Sequence, residues 1–212
     1  LLLYCSKEDD TWPKRICFPE NIFVLRGNHE EENLNQLYSF VSEVHLKFKT
    51  KSASPAETCS MYAHFKAVFV NLPLACLIGD DILAMHGGIS PLLGSLKDIQ
   101  KIERPIEEFV KGTLACDLVW SDPDTDGFCV AFRTSYFLRE STVGIGQLFS
   151  KVAVEETCNR LEVKMIIRGH QVSLSLTRER VPTAERDYIW RKKHRLVGPC
   201  PRHIRSNGEC KC

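Results

Sequence analysis

Apolar positions along this chain alternate between two spacings. Residues 21–25, 82–85 and 163–167 are short apolar runs that predict buried strands. Each run ends in a polar loop containing glycine: Arg26-Gly-Asn-His-Glu30, His86-Gly-Gly and Arg168-Gly-His-Gln171. Between them the spacing lengthens. Residues 32–48 place Leu34, Leu37, Val41, Val44 and Phe48 at three- and four-residue steps, and residues 148–161 carry Leu148, Val152, Val154, Cys158 and Leu161 in a similar pattern. Both stretches predict amphipathic helices. The alternation of strand and helix predicts an α/β fold, with no internal repeat at any period.

From Arg178 onward the apolar period stops, and ten basic side chains face only four acidic ones. The chain is therefore expected to divide into an α/β body, residues 1–177, and a basic tail of low order, residues 178–212. A charge run of this kind reads first as a solvated segment, and a nucleic-acid partner is disfavoured.

Composition narrows the class. With 212 residues, 43% hydrophobic, 26% charged and a net charge of +1, the chain can bury one sizeable core and is neither a disordered nor a supercharged protein. Its longest apolar stretch, residues 68–78, is interrupted by Asn71 and Pro73 and falls short of the roughly 20 residues that span a bilayer. The opening Leu1-Leu2-Leu3 lacks a basic n-region and a cleavage site, so it is expected to be the start of a fragment and not a signal peptide. Ten cysteines are scattered from Cys5 to Cys212, several in apolar patterns, which predicts reduced thiols in a cytoplasmic or nuclear protein. The tail cysteines Cys200, Cys210 and Cys212 match no metal-binding pair spacing.

The candidate chemistry lies in the three loops, because open α/β sheets place their sites at the carboxyl ends of strands. Each loop sets glycine beside histidine. Glycine permits close backbone approach, and imidazole is the commonest nitrogen ligand for borderline divalent metals. Asn28 with His29, His86 and His170 could thus converge on a metal-bound anion. Any one of these histidines alone is more simply a hydrogen-bonded loop residue; three in matched settings strengthen the functional reading. His45 and His64 fall on helix-like stretches with no motif.

Four segments, Leu25-Arg-Gly-Asn-His-Glu30, His86-Gly-Gly-Ile-Ser-Pro91, Asp117-Leu-Val-Trp-Ser-Asp-Pro123 and Arg168-Gly-His-Gln171, occur in an order and spacing that resembles the phosphoprotein phosphatase family. That family comprises the metal-dependent serine/threonine phosphatases of the protein phosphatase 1, protein phosphatase 2A and calcineurin type, and the similarity covers residues 20–176. The resemblance implies a partial calcineurin-like metallophosphoesterase sandwich, truncated before Leu1 and divergent at its end. It implies Asn28, His86 and His170 as ligands of the second of two divalent ions, manganese, iron or zinc, and His29 as the general acid for a phosphoserine or phosphothreonine leaving group. It further implies phosphoprotein substrates and regulatory subunits as partners, and the short apolar runs predict no membrane partner.

Two departures stand beside the resemblance. The family's upstream motifs, which supply the first metal's ligands and the bridging carboxylate, do not occur in this sequence. Val143 occupies the position of a phosphate-binding arginine, leaving Arg139 as the nearest substitute. Asp117, Trp120, Asp122 and Pro123 read as structural. This chain alone is therefore expected to be nearly inactive. The alternatives are a catalytically inactive phosphatase-like scaffold or a gene-model fragment, and a nucleotide-directed phosphoesterase, which the Ser-Pro and Ser-Asp-Pro segments disfavour.

Overall fold

The structure, a computed structural model, describes residues 16–48, 55–131, 133–138, 145–171 and 188–191. Helices occupy Glu32–Leu37 (α1), Phe40–Phe48 (α2), Pro55–Phe69 (α3), Leu96–Gln100 (α4), Leu114–Trp120 (α5), Phe128–Ala131 (α6) and Lys151–Leu161 (α7). Strands occupy Ala75–Ile78 (β1), Ile82–Met85 (β2), Asp122–Pro123 (β3), Tyr136–Leu138 (β4), Gln147–Phe149 (β5), Met165–Arg168 (β6) and Tyr188–Arg191 (β7). They build two sheets, one in the order β1-β2-β6-β7 and one in the order β3-β5-β4.

The parallel pair β2 and β6 decides where chemistry can occur. Ile82 aligns with Met165, Leu83 with Ile166 and Ala84 with Ile167, so both strands end at the same edge of the sheet. The residues that follow them, His86 and the Gly169-His170 pair, leave the sheet side by side. The Gly169 N–H donates to the His86 carbonyl at 3.0 Å and fixes that register. Parallel neighbours need a long crossover, and the chain between β2 and β6 supplies it with helices α4 to α7 and the second sheet.

Helix α5 seals the space between the sheets. Its residues Cys116 to Trp120 are all buried, Asp117 among four apolar neighbours, and Thr113 caps it by accepting from the Cys116 N–H at 3.3 Å. Gly87 lies directly against this helix: a Cβ there would come within 2.4 Å of the Val119 carbonyl carbon, so no other residue fits. Leu83, Met85, Ile89, Leu93, Phe149, Val154 and Ile166 complete the core. A smaller cluster of Val24, Phe69 and Leu72 is flanked by Phe40 and Phe65. Cys116, Cys129 and Cys158 are buried apolar packing residues.

Several sequence expectations change. The stretch 21–25 forms no strand: Asn21 closes a turn, its N–H donating to the Phe18 carbonyl at 3.1 Å, and although Val24 and Leu25 are buried, residues 22–25 join no ladder among the described residues. The helix expected over 32–48 breaks in two at Ser39, whose backbone is left-handed (φ 66°) and turns Phe40 onto Phe65 and Phe69. The helix expected over 148–161 begins at Lys151, with the Ser150 hydroxyl accepting from the Ala153 N–H at 3.2 Å. Leu148 belongs to β5, where it pairs with both Asp122 and Phe137. The third expected strand forms at 165–168, two residues shifted at its start. Strand β7, inside the segment read as a basic tail, pairs antiparallel with β6.

Candidate functional site

Asn28 and His29 sit on a single 3-10 turn, Asn28–Glu30, and the turn is held from both ends. The Glu30 carboxylate accepts the Gly27 N–H at 2.7 Å. Arg26, fully buried, donates from Nε and Nη2 to the Glu30 carbonyl at 3.3 and 3.0 Å and from Nη1 to the Ile106 carbonyl at 2.7 Å. Its guanidinium lies 4.5 Å over the Phe109 ring, and the Phe109 N–H donates to Glu31 at 2.9 Å. Burial pushes the Arg26 pKa down and those of Glu30 and Glu31 up; the opposed charges of the three groups offset part of that cost.

That rigid turn delivers Asn28 to His86. Nε2 of His86 lies 2.9 Å from Oδ1 of Asn28, which is buried. The approach depends on Gly27, because a Cβ there would stand 2.9 Å from Cε1 and Nδ1 of the same imidazole. The His86 and His170 rings stack edge to face at 5.1 Å between centroids. Burial, then the nearby His170, Arg168 and His29 charges, pushes the His86 pKa down to about 2. Its imidazole is neutral at physiological pH, which is the form that binds metals.

His170 occupies left-handed backbone (φ 74°), a conformation that costs a non-glycine residue on the order of 1–2 kcal/mol. Its ring is bounded by Trp120, edge to face at 5.7 Å, and its Nε2 lies 3.6 Å from Oδ2 of Asp122. Oδ1 of Asp122 accepts from Nη2 of Arg168, a fully buried cation that also donates to the Gly87 and Ser121 carbonyls. Close by in the core, the buried Asp117 carboxylate accepts the Ser90 hydroxyl at 2.6 Å, and burial raises its pKa.

The structure thus brings together Asn28, His86 and His170, with His29 adjoining Asn28. The His29 side chain is exposed and packs against Tyr38 at 4.7 Å; partial desolvation lowers its pKa, and among the described residues no carboxylate pairs with it. Arg139 and Val143 lie outside the described residues. His45 and His64 are on α2 and α3, outside the loop cluster.

An amide oxygen and two neutral imidazoles are donors of the right kind for a borderline divalent ion. A buried acceptor in the same loop, Oε1 of Gln171, has no protein hydrogen-bond partner among the described residues, as expected of a polar site designed to hold something more. Among those residues, however, no group of three or more His, Cys, Asp or Glu side chains gathers to hold a metal. The donors therefore fit part of a metal centre, in kind and in placement, and among the described residues no anionic ligand completes it.

Sequence reasoning assigned Arg26 and Arg168 no role at the site and read Asp122 as structural. The signal was present for Arg168: a cation ending an apolar run that must be buried, which requires a carboxylate partner elsewhere in the chain.

Residues 4–174 match the calcineurin-like phosphoesterase family. A candidate serine/threonine-protein phosphatase of Caenorhabditis elegans is 36% identical over 172 residues, covering 81% of this chain and 40% of that protein. Serine/threonine-protein phosphatase PP1-delta of the same organism is 32% identical over 173 residues, covering 81% and 48%. A solved protein serine/threonine phosphatase from Saccharomyces cerevisiae, with similarity to human phosphatase PP5, superposes with a TM-score of 0.58 at 27% identity, over 77% of this chain and 46% of that one. The chain belongs to the calcineurin-like phosphoesterase family, and within it the resemblance is to the serine/threonine phosphoprotein phosphatases. It spans less than half the length of these relatives.

Proposed function

We infer that this chain carries one half of a serine/threonine protein phosphatase centre, the half that binds the second of two divalent ions and protonates the leaving alcohol. The observation that carries this reading is the meeting of Asn28 with His86 at 2.9 Å and of His86 with His170 at 5.1 Å, at the carboxyl ends of parallel strands. Manganese, iron or zinc would supply Lewis-acid polarisation of the phosphoryl group there. Asn28, His86 and His170 would hold the ion.

His29, exposed beside Asn28, is the residue that in this reading faces the phosphoester. Partial desolvation disfavours its protonated form, and the negative charge of a bound phosphate would favour that form again and load the proton to be handed to the departing serine or threonine oxygen. Phosphoproteins are the corresponding substrates, and regulatory subunits the corresponding partners. Because no anionic ligand joins Asn28, His86 and His170 among the described residues, the 212-residue chain alone is expected to bind Mn²⁺ weakly and to turn over slowly. The second reading is a phosphatase-like scaffold without activity, in which the donors found among the described residues hold no working metal pair.

Kinetics of the chain on a phosphoserine peptide and on an aryl phosphate, across a Mn²⁺ titration, separate the two. The phosphatase reading expects slow, Mn²⁺-dependent turnover in which His29→Asn lowers kcat more than KM on the peptide, least on the aryl phosphate, with no rescue by Mn²⁺. Equal losses on both substrates would remove the general-acid role. Absence of Mn²⁺-dependent turnover on either substrate would favour the scaffold.

A further inference from the structure

We propose that Asp122 is a positioning residue of this site: held by Arg168 through one carboxylate oxygen, it uses the other to fix the tautomer and orientation of the His170 imidazole. The proposal rests on the reading of His170 as a donor to a divalent ion.

The division of labour between the two oxygens is the central observation. Oδ1 of Asp122 accepts from Nη2 of Arg168, whereas Oδ2 faces Nε2 of His170 at 3.6 Å. A carboxylate present only to neutralise a buried arginine would offer both oxygens to the guanidinium fork, the geometry that such pairs favour. Arg168 instead spends its other contacts on the Gly87 and Ser121 carbonyls, which lock the guanidinium between the loop after β2 and the strand that carries Asp122. The Arg168 side chain is 0% exposed and that of Asp122 2%, so water screens neither.

Topology gives the contact a further role. His86 and His170 follow strands of the four-stranded sheet, but Asp122 begins β3 of the three-stranded sheet. The carboxylate therefore references the imidazole to the second sheet. Trp120, at the end of α5, bounds the same ring edge to face at 5.7 Å. His170 needs such bracing because its left-handed backbone (φ 74°) is sustained only when the surroundings over-determine it.

A metal-ligating histidine ordinarily donates its remote ring N–H to a carboxylate or carbonyl, and that bond selects which nitrogen carries the lone pair. At 3.6 Å the contact is electrostatic and longer than a hydrogen bond, and a carboxylate facing Nε2 at that range favours the proton on Nε2, which leaves the lone pair on Nδ1. His170 would thus ligate through Nδ1.

The test is a long-range proton–nitrogen correlation of the histidine rings in the complete 212-residue chain without metal, with His170 assigned by its loss in His170→Gln. Wild-type His170 is expected as the Nε2–H tautomer. In Asp122→Asn the Nδ1–H form is expected to gain population, and Zn²⁺ affinity, measured by chelator competition, to fall by roughly 10-fold or more. Arg168→Lys, which keeps the charge and loses the fork, should move both readouts in the same direction by less. An Nδ1–H tautomer in the wild type overturns the proposal, and that measurement holds even where Asp122→Asn fails to fold. An unchanged tautomer and unchanged Zn²⁺ affinity in a folded Asp122→Asn overturns it as well. Neither readout requires turnover, so a chain that hydrolyses no phosphopeptide can still display the Asp122 effect, and the two failures remain distinct.

Discussion

Oδ1 of Asn28 and Nε2 of His86 meet at 2.9 Å across 58 residues of sequence. Asn28 reaches that point on a turn pinned by Arg26 and Glu30, and His86 reaches it as the first residue beyond β2. Two independent pieces of local structure therefore converge on one pair of donor atoms.

Gly27 allows the meeting. Gly27→Ala would set a methyl 2.9 Å from the His86 ring and 2.8 Å from Oε2 of Glu30, well inside contact distance. Overpacking of this kind costs about 1–3 kcal/mol. Urea unfolding is expected to show a loss in that range, together with weaker Mn²⁺ binding, because the ring must shift away from Asn28.

Arg26 should be the most sensitive side chain of the turn. Arg26→Ala leaves the Glu30 and Ile106 carbonyls without their donor and removes the cation beside Glu30 and Glu31, for a loss of about 2–4 kcal/mol. Arg26→Lys retains the charge but cannot serve both carbonyls, and should fall between wild type and Arg26→Ala in denaturant midpoint.

His86 gives the protein a pH dependence of known sign. Its folded pKa, about 2, lies below the ordinary imidazole value of 6.5, so the unfolded chain takes up the proton first on acidification. The stabilisation linked to the neutral ring is complete above 6.5 and is lost as pH falls through the window between 6.5 and about 2. Between pH 7 and pH 5 the loss amounts to about 2 kcal/mol, at 1.36 kcal/mol per unit. Glu30, Glu31 and Asp117, whose pKa values are raised by burial, act in the opposite sense, since protonation favours their folded form. Comparison with His86→Gln isolates the histidine: the variant should lose less stability on going from pH 7 to pH 5. An equal loss in both proteins would remove His86 as the source.

Much of this arrangement is legible in the sequence. The apolar run 82–85 followed by His86-Gly-Gly reads as a strand and loop and forms as one, and the run before Arg168 does so with a small shift. Both runs are short, β-compatible and bounded by glycine, so local pattern and final structure agree. The stretch 21–25 carries the same pattern without becoming a strand, since a ladder depends on a neighbour that no local pattern reports. The break at Ser39 is similarly tertiary, driven by the packing of Phe40 onto α3. At the site, Asn28, His86 and His170 are recognisable by residue type and loop context. The role of Asp122 is not, because it lies in a contact with Arg168 that spans 46 residues and two sheets.

The central claim, that Asn28, His86 and His170 form one divalent-ion site, is tested most directly by Mn²⁺ affinity. Titration calorimetry of the 212-residue chain and of Asn28→Ala, His86→Ala and His170→Ala, each verified as folded, should give weak binding to the wild type. Each substitution should weaken it by on the order of 10-fold or more, with no further loss on combining them once binding is abolished. Mn²⁺ binding of equal strength in all four proteins would contradict the account.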